Sequence, residues 1–119
     1  MSENIQSTTH NMKLQPDPFE NIKSGKKTIE LRLNDEKRQK ISPGDTIVFS
    51  CKEEKLKTNV IALYHFSSFN ELYETLPLEK WGYSDREINN ASPDDMLKYY
   101  SKEDQEKYGV LGIEISVIN

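Results

Sequence analysis

An alternating stretch at residues 28–33 is the feature that most narrows the folds open to this chain. The stretch reads TIELRL, so polar and apolar side chains alternate strictly. This period of two is typical of a β-strand with one buried face. The predicted buried face consists of Ile29, Leu31 and Leu33. The opposite face carries Thr28, Glu30 and Arg32, because successive side chains of a strand point to opposite sides.

Four other segments have the composition of strands. They are residues 10–14, 46–51, 56–66 and the closing run from Val110. The run VIALYHF is long, apolar and rich in β-formers, which favours a central position in a sheet. We predict an α+β fold with a small, partly closed barrel of five or six strands. Its core is predicted to contain Ile29, Leu31, Ile47, Phe49, Ile61, Ile113 and Ile115.

Capping residues predict four short helices. Asp17 precedes Pro18 and is predicted to cap the first helix, which ends before Gly25. Ser68 and Glu71 have the spacing of a capping box at the start of the second. Ser92 and Ser101 are predicted to begin two more, the last of which ends at Gly109.

The length and composition bound the function classes. A chain of 119 residues is of single-domain size, and we expect a domain at 10–119 after a loose tail at 1–9. No apolar run is long enough to span a membrane. One cysteine, Cys51, and two histidines, His10 and His65, give no metal-ligand spacing. We expect a cytoplasmic monomer without metal or cofactor.

Charge is segregated along the chain. The formal net charge is −4, which argues against a nonspecific nucleic-acid coat. Residues 23–40 nevertheless carry seven bases against three acids, whereas residues 71–108 carry ten acids against five bases. Such segregation favours a local anion site in the first third of the chain, although ordinary surface scatter produces similar patterns.

In this order the segments resemble the ASCH domain of the PUA-like superfamily over residues 10–118. The pattern G-x-K-x-x-E-x-R is met by Gly25, Lys27, Glu30 and Arg32, and the turn PGD at 43–45 and the ending KYGVLGIEI also agree. The resemblance implies a β-barrel wrapped by helices, with a cleft lined by the motif. It also implies an association with RNA or modified nucleosides.

Some members of that family hydrolyse acetylcytidine, and others bind or cleave RNA. The resemblance implies that the hydrolases pair the lysine with a threonine nucleophile three residues later, where this chain has Glu30. A carboxylate can act as a base or orient a water, so Lys27 and Glu30 are the catalytic candidates. A later acid of that catalytic set has several candidates: Glu71, Glu74, Asp94 and Asp95.

A wider set of residues is predicted to bind the ligand. Arg32 offers a planar fork that suits phosphate, and Lys27 a mobile charge. The full set of candidate ligand residues is Lys27, Glu30, Arg32, Thr28, His10 and Arg38. Aromatic residues that could stack on unpaired bases are Trp81, Tyr83, Tyr99 and Tyr100.

Three functions are open at the level of the sequence. The first is a module that binds RNA, a nucleotide or a modified nucleoside in the motif cleft. The second is an enzyme that uses the same cleft, either an amidohydrolase on an acylated nucleoside or a ribonuclease. The third is a protein-interaction domain that uses the acidic later half of the chain. Glu30 in the position of the threonine favours the first.

Overall fold

The computed structural model describes residues 7–77, 80 and 100–118. Within them the chain forms five strands and three helices, with a 3-10 turn at Arg38–Lys40. In chain order the elements are β1 (Thr9–Lys13), α1 (Pro16–Lys23), β2 (Ile29–Leu33), β3 (Thr46–Cys51), β4 (Glu54–Phe66), α2 (Phe69–Thr75), α3 (Lys102–Tyr108) and β5 (Val110–Val117). The predicted α+β class is confirmed.

The five strands form one mixed sheet in the order β1-β3-β4-β5-β2. β1 runs parallel to β3, and the other neighbouring pairs are antiparallel. The sheet curls into a half-barrel, as predicted, so its two edge strands, β1 and β2, approach each other. β5 pairs with both β4 and β2 and therefore holds β2 in the sheet.

The inner face of the curled sheet encloses the larger of two hydrophobic clusters. Helix α1 lies against this face and inserts Phe19 and Ile22, which are both buried. The inner core, as we name this cluster, consists of Met12, Phe19, Ile22, Ile41, Ile47, Phe49, Val60, Leu111, Ile113 and Ile115. Burial of these side chains, at roughly 1.5–3 kcal/mol each, stabilises the packing of the curled sheet against the helix.

The outer face near β2 and β5 carries the second cluster, which α2 covers. The outer core consists of Ile29, Leu31, Leu33, Phe69, Leu72 and Val110. The predicted apolar face of β2 is therefore buried, but against the outer helix and not inside the barrel. Gly112 permits this packing, because a Cβ there would lie 2.9 Å from the Leu76 side chain.

The helix caps follow the predicted chemistry at two of the three described helices. Ser68 caps α2 and accepts a hydrogen bond from the Glu71 backbone, and Ser101 caps α3 in the same way. The prediction for α1 was wrong by two residues, because the helix begins at Pro16 and Asp17 lies in its first turn. The fixed φ of Pro16 already suits the first helical position.

One predicted core residue, Ile61, is exposed. Val60 pairs with Ile115 and Ala62 pairs with Glu114, so Ile61 is the extra residue of a β-bulge. Its side chain is 52% exposed, whereas the six other predicted core residues are buried. A bulge inserts one unpaired residue and so breaks the alternation on which the prediction depended. The predicted helix at Ser92 lies outside the described residues.

We expect Gly109→Ala to destabilise the fold by roughly 1–3 kcal/mol. Gly109 ends α3 with φ 74° and ψ −178°, a combination that is essentially restricted to glycine. An added Cβ would also lie 3.0 Å from the Phe66 carbonyl oxygen. Chemical denaturation measures the loss in the free energy of unfolding.

Gly44→Ala is the matched control for that substitution. Gly44 also has a positive φ, of 93°, but a Cβ there meets no atom within 4 Å. Gly44→Ala should lower the free energy of unfolding less than Gly109→Ala does. Equal losses would show that the close contact between the added Cβ and the Phe66 carbonyl oxygen contributes nothing.

Candidate functional site

The turn between α1 and β2 places Lys27 at the entrance of the second strand. Gly25 adopts a φ of 85°, which favours glycine, and its N–H donates to the Ile22 carbonyl at 3.1 Å. The Lys27 N–H donates to the Asn21 carbonyl at 2.9 Å, so the chain turns back along the helix before it extends. The Lys27 side chain is 12% exposed and points toward Glu30.

The register of β2 places Glu30 and Arg32 on the inner face of the sheet. Glu30 pairs with Ile113 and Arg32 with Leu111, and both partners belong to the inner core. Glu30 is only 4% exposed, so a carboxylate lies at the margin of a hydrophobic interior. Burial of an unpaired charge is very costly, and the carboxylate therefore needs partners.

Both oxygens of Glu30 are fully engaged. Oε1 accepts from Lys27 Nζ at 2.8 Å and from the Leu31 backbone N–H at 3.3 Å. Oε2 accepts from Arg32 through Nε at 2.9 Å and Nη2 at 2.8 Å. These four contacts make one carboxylate the anchor of two cations.

The same contacts set the protonation of Glu30. Burial alone raises the pKa of the carboxyl group, because it disfavours the charged form. The charges of Lys27 and Arg32 and their hydrogen bonds outweigh burial and hold the pKa below the ordinary value for glutamate. Glu30 is therefore an anion at neutral pH and a weak base.

Arg32 connects the two edges of the half-barrel. In addition to its contacts with Glu30, its Nη2 donates to the Lys13 carbonyl at 3.0 Å. Lys13 is the last residue of β1, whereas Arg32 lies in β2, at the opposite end of the strand order. The arginine therefore bridges the gap that the sheet leaves open.

A second ion pair lies in the loop that follows β2. Arg38 Nη1 donates to Asp35 Oδ2 at 2.9 Å, and the Arg38 backbone N–H donates to Asp35 Oδ1 at 3.1 Å. The phenol of Tyr100 lies within the electrostatic reach of Arg32 and Arg38 alike. Burial raises the pKa of Tyr100, and its ring stacks on Phe69 at a centroid distance of 5.7 Å.

The remaining predicted site residues lie apart from the Glu30 centre or at its margin. His10 Nε2 lies 2.9 Å from Asp45 Oδ2, and that carboxylate also accepts the Thr8 and Ser42 backbone N–H groups. The structure therefore uses His10 to fasten β1 to the turn before β3. Thr28 lines, with Lys27 and other residues, a crevice of about 360 Å³ at the C-terminal end of α1.

Other predicted groups are described in part. Glu71 accepts from the Ser67 N–H at α2, and Glu74 is exposed on the same helix, so the capping role accounts for Glu71. The other candidate groups lie outside the described residues: Trp81, Tyr83, Asp94, Asp95 and Tyr99.

Within the described part of the chain no three metal-ligating side chains cluster. No helix described there is long and apolar enough to cross a membrane.

Several groups near the centre carried no sequence signal. The Lys13 carbonyl is one, because a backbone acceptor cannot be identified from the side-chain pattern. His65 of β4 is another. It pairs with Leu111 of β5, which in turn pairs with Arg32 of β2, so the exposed His65 side chain and Arg32 lie on the same face of the sheet, two strands apart. The apolar run around His65 concealed this position.

Comparison with known proteins decides the family. The family model for the ASCH domain matches residues 12–119, which is nearly the whole chain. This chain belongs to the ASCH family. The ASCH domain has a PUA-like fold that is associated with RNA binding. The predicted resemblance is therefore confirmed.

Solved structures of the same fold agree. The crystal structure of hypothetical protein PH0355 is 39% identical, with a TM-score of 0.79, and the match covers 93% of this ASCH chain and 100% of that one. Protein PF0455 from Pyrococcus furiosus, solved by NMR, is 38% identical, with a TM-score of 0.70 and coverage of 94% and 99%.

A more distant structure shares the fold alone. The ASCH protein from Zymomonas mobilis is 14% identical, with a TM-score of 0.63, and the match covers 94% of this chain and 71% of that one. No curated protein is similar enough in sequence to count as a match.

We expect Glu30→Gln to reduce the free energy of unfolding at pH 7 by roughly 3–5 kcal/mol, the usual cost of removing one partner of a buried ion pair. The folded pKa of Glu30 lies below its unfolded value, which is roughly 4.3. The carboxylate therefore stabilises the fold above that unfolded value, and the contribution is lost as the pH falls through the folded pKa.

Urea denaturation at pH 7, 5 and 3 measures this difference. The gap between the native protein and Glu30→Gln should narrow in acid. Glu106→Gln, which changes an exposed glutamate of α3, is the control and should change stability little at any pH. A gap that stays constant from pH 7 to pH 3 would contradict the assignment.

Proposed function

We propose that this ASCH domain binds single-stranded RNA or a nucleotide at the inner-face centre formed by Lys27, Glu30 and Arg32. The observation that supports it is the arrangement of Glu30, which orients two cations at the open edge of a half-barrel. Cations held in a fixed geometry bind phosphate with less loss of side-chain entropy than free surface lysines do. The family association with RNA points to the same ligand.

Arg32 keeps donors that a ligand can use. Its Nε and Nη2 are engaged by Glu30 and Lys13, but Nη1 makes no hydrogen bond to any described residue. The side chain is 14% exposed, so the guanidinium reaches the surface at one edge. A phosphate oxygen at Nη1 would meet a charged donor whose position Glu30 already fixes.

Binding is favoured over hydrolysis by the state of Glu30. A catalytic nucleophile or general base needs a free lone pair and a pKa near the working pH. The Glu30 oxygens already accept four contacts, and the pKa of the carboxyl group is lowered. Lys27 Nζ is engaged by the same carboxylate at 2.8 Å. Both candidate catalytic groups are thus assigned positioning and ligand-binding roles.

RNA affinity should depend on Arg32. We expect Arg32→Ala to weaken binding of a fluorescent single-stranded RNA by about tenfold to a hundredfold, since a charged hydrogen bond contributes roughly 1.5–3 kcal/mol. Fluorescence anisotropy at several salt concentrations measures the effect, and the salt dependence of the variant should be shallower.

Lys57→Ala is the matched control for Arg32→Ala. Lys57 is exposed and lies between the inner-face residues Leu56 and Thr58, so its side chain is on the outer face of the sheet. The substitution therefore removes one positive charge from the outer face. Equal losses for both variants would show that binding follows total charge and not the Glu30 centre. An absence of RNA and nucleotide binding by the native protein would end the proposal.

Acetylcytidine turnover should be absent or very low in the native protein. A carboxylate that attacks an amide must form an anhydride, which is harder than acyl transfer to a hydroxyl. We expect Glu30→Thr to gain turnover, if it folds, relative to the native chain. Chromatographic detection of cytidine measures both. Robust native turnover that Glu30→Thr does not improve would assign the site to hydrolysis.

A further inference from the structure

The loop between β2 and β3 holds two buried polar atoms without a hydrogen-bond partner. They are Asn34 Oδ1 and Arg38 Nε, and among the described residues these two are the buried side-chain nitrogen and oxygen atoms that lack a partner. An unsatisfied buried donor or acceptor costs roughly 1–3 kcal/mol, so native proteins keep few of them. The two atoms lie four residues apart in one short loop, and unsatisfied buried groups of this kind call for a partner such as an ordered water, an ion or a ligand.

This loop is otherwise well ordered by its own hydrogen bonds. The Asn34 N–H donates to the Gly109 carbonyl at 3.0 Å, which fixes the start of the loop to β5. The Gln39 N–H donates to the Asp35 carbonyl at 2.9 Å, and the Gln39 side chain donates to the Asn34 carbonyl at 3.0 Å. The two atoms without partners therefore lie in a loop whose backbone is fixed by hydrogen bonds.

Arg32 and Arg38 use different edges of their guanidinium groups in their ion pairs. Arg32 uses its side-on edge, Nε and Nη2, to hold Glu30. Arg38 is held by Asp35 through Nη1, and its side-on edge makes no hydrogen bond with the residues described here. The side-on edge is a two-donor fork that matches two oxygens of a phosphate. The Arg38 side chain is 19% exposed as a whole but its Nε is buried, so a ligand can use this fork only when the guanidinium turns toward the surface.

We propose that Asn34 and Arg38 form a subsite for the sugar–phosphate unit of RNA. In this subsite Arg38 binds a backbone phosphate through its side-on edge, and Asn34 Oδ1 accepts a hydrogen bond from the neighbouring ribose 2′-hydroxyl. A donor fork and an acceptor one turn apart match this unit, because RNA places a hydroxyl donor beside a phosphate. The 2′-hydroxyl is the group by which a protein distinguishes RNA from DNA.

This inference rests on the proposed function and extends the proposed RNA contact from Arg32 to the loop that holds Asn34 and Arg38. Arg32 lies in β2 and Arg38 lies in the loop that directly follows this strand, so the two guanidinium groups are held on neighbouring segments of the protein. A strand whose phosphate meets Arg32 can therefore place a second phosphate at Arg38. The predicted ligand is an RNA segment with at least two phosphates, and a single nucleoside would fill only part of the site.

Three variants of the full chain test the subsite. Arg38→Lys keeps the charge and removes the fork, Asn34→Ala removes the acceptor, and Lys37→Ala removes an exposed charge from the same loop as a matched control. Anisotropy is measured with a ten-nucleotide RNA, with DNA of the same sequence and, by competition, with a nucleoside 3′-monophosphate. Thermal unfolding is recorded for each variant.

The native protein should bind the RNA at least tenfold more tightly than the DNA and more tightly than the monophosphate. Asn34→Ala should lose most of that preference with little effect on DNA. Arg38→Lys should weaken RNA binding severalfold more than Lys37→Ala does. Neither subsite variant should lower the Tm, because each removes an unsatisfied buried atom.

Other results overturn the subsite, and they do so in ways that separate it from the proposed function. RNA binding that depends on Arg32 but not on Asn34 or Arg38 leaves the proposed function standing and rejects the subsite. Equal affinity for RNA and DNA, or a lower Tm in both subsite variants with unchanged RNA preference, assigns the loop a structural role alone. An absence of RNA binding rejects both.

Discussion

The contact on which the rest of this site depends is a single buried carboxylate. Glu30 accepts from two cations and a backbone N–H while it lies almost inaccessible to water. A buried ion pair contributes little net stability when compared with an apolar replacement, because desolvation offsets its attraction. Its value is geometric. Lys27 and Arg32 are held, mostly buried, at the open edge of the half-barrel in one arrangement, and the arrangement persists because a rearrangement that separates them from Glu30 leaves a buried charge unpaired.

That arrangement is also tied to the shape of the sheet. The strand order leaves β1 and β2 as edges, and an open edge normally invites pairing with another chain. Arg32 covers part of this gap by donating to the Lys13 carbonyl. The same guanidinium therefore combines an ion-pair edge, a closing contact and a nitrogen, Nη1, that makes no hydrogen bond to any described residue. A lysine at this position could not combine the three, because it lacks the planar fork.

Much of the fold followed from the sequence, and the exceptions have physical causes. The alternation in β2 correctly separated its two faces, and serine caps located α2 and α3. The bulge at Ile61 was not predictable, since a local pattern does not show where a ladder gains an extra residue. Sequence spacing brought Lys27, Glu30 and Arg32 together. It could not show that His10 pairs with Asp45, because that contact depends on the parallel pairing of β1 and β3.

The position of β5 between β4 and β2 has a consequence for how the protein is made. β2 has no strand partner among the described elements except β5, although the two are separated by most of the chain. During synthesis, β2 therefore leaves the ribosome long before the strand that can pair with it. Until then Ile29, Leu31 and Leu33 lack one wall of their cluster. Contacts of such long sequence separation form late and slow the folding of a domain. A nascent chain that stops before Val110 would carry the whole G-x-K-x-x-E-x-R motif and still have no site.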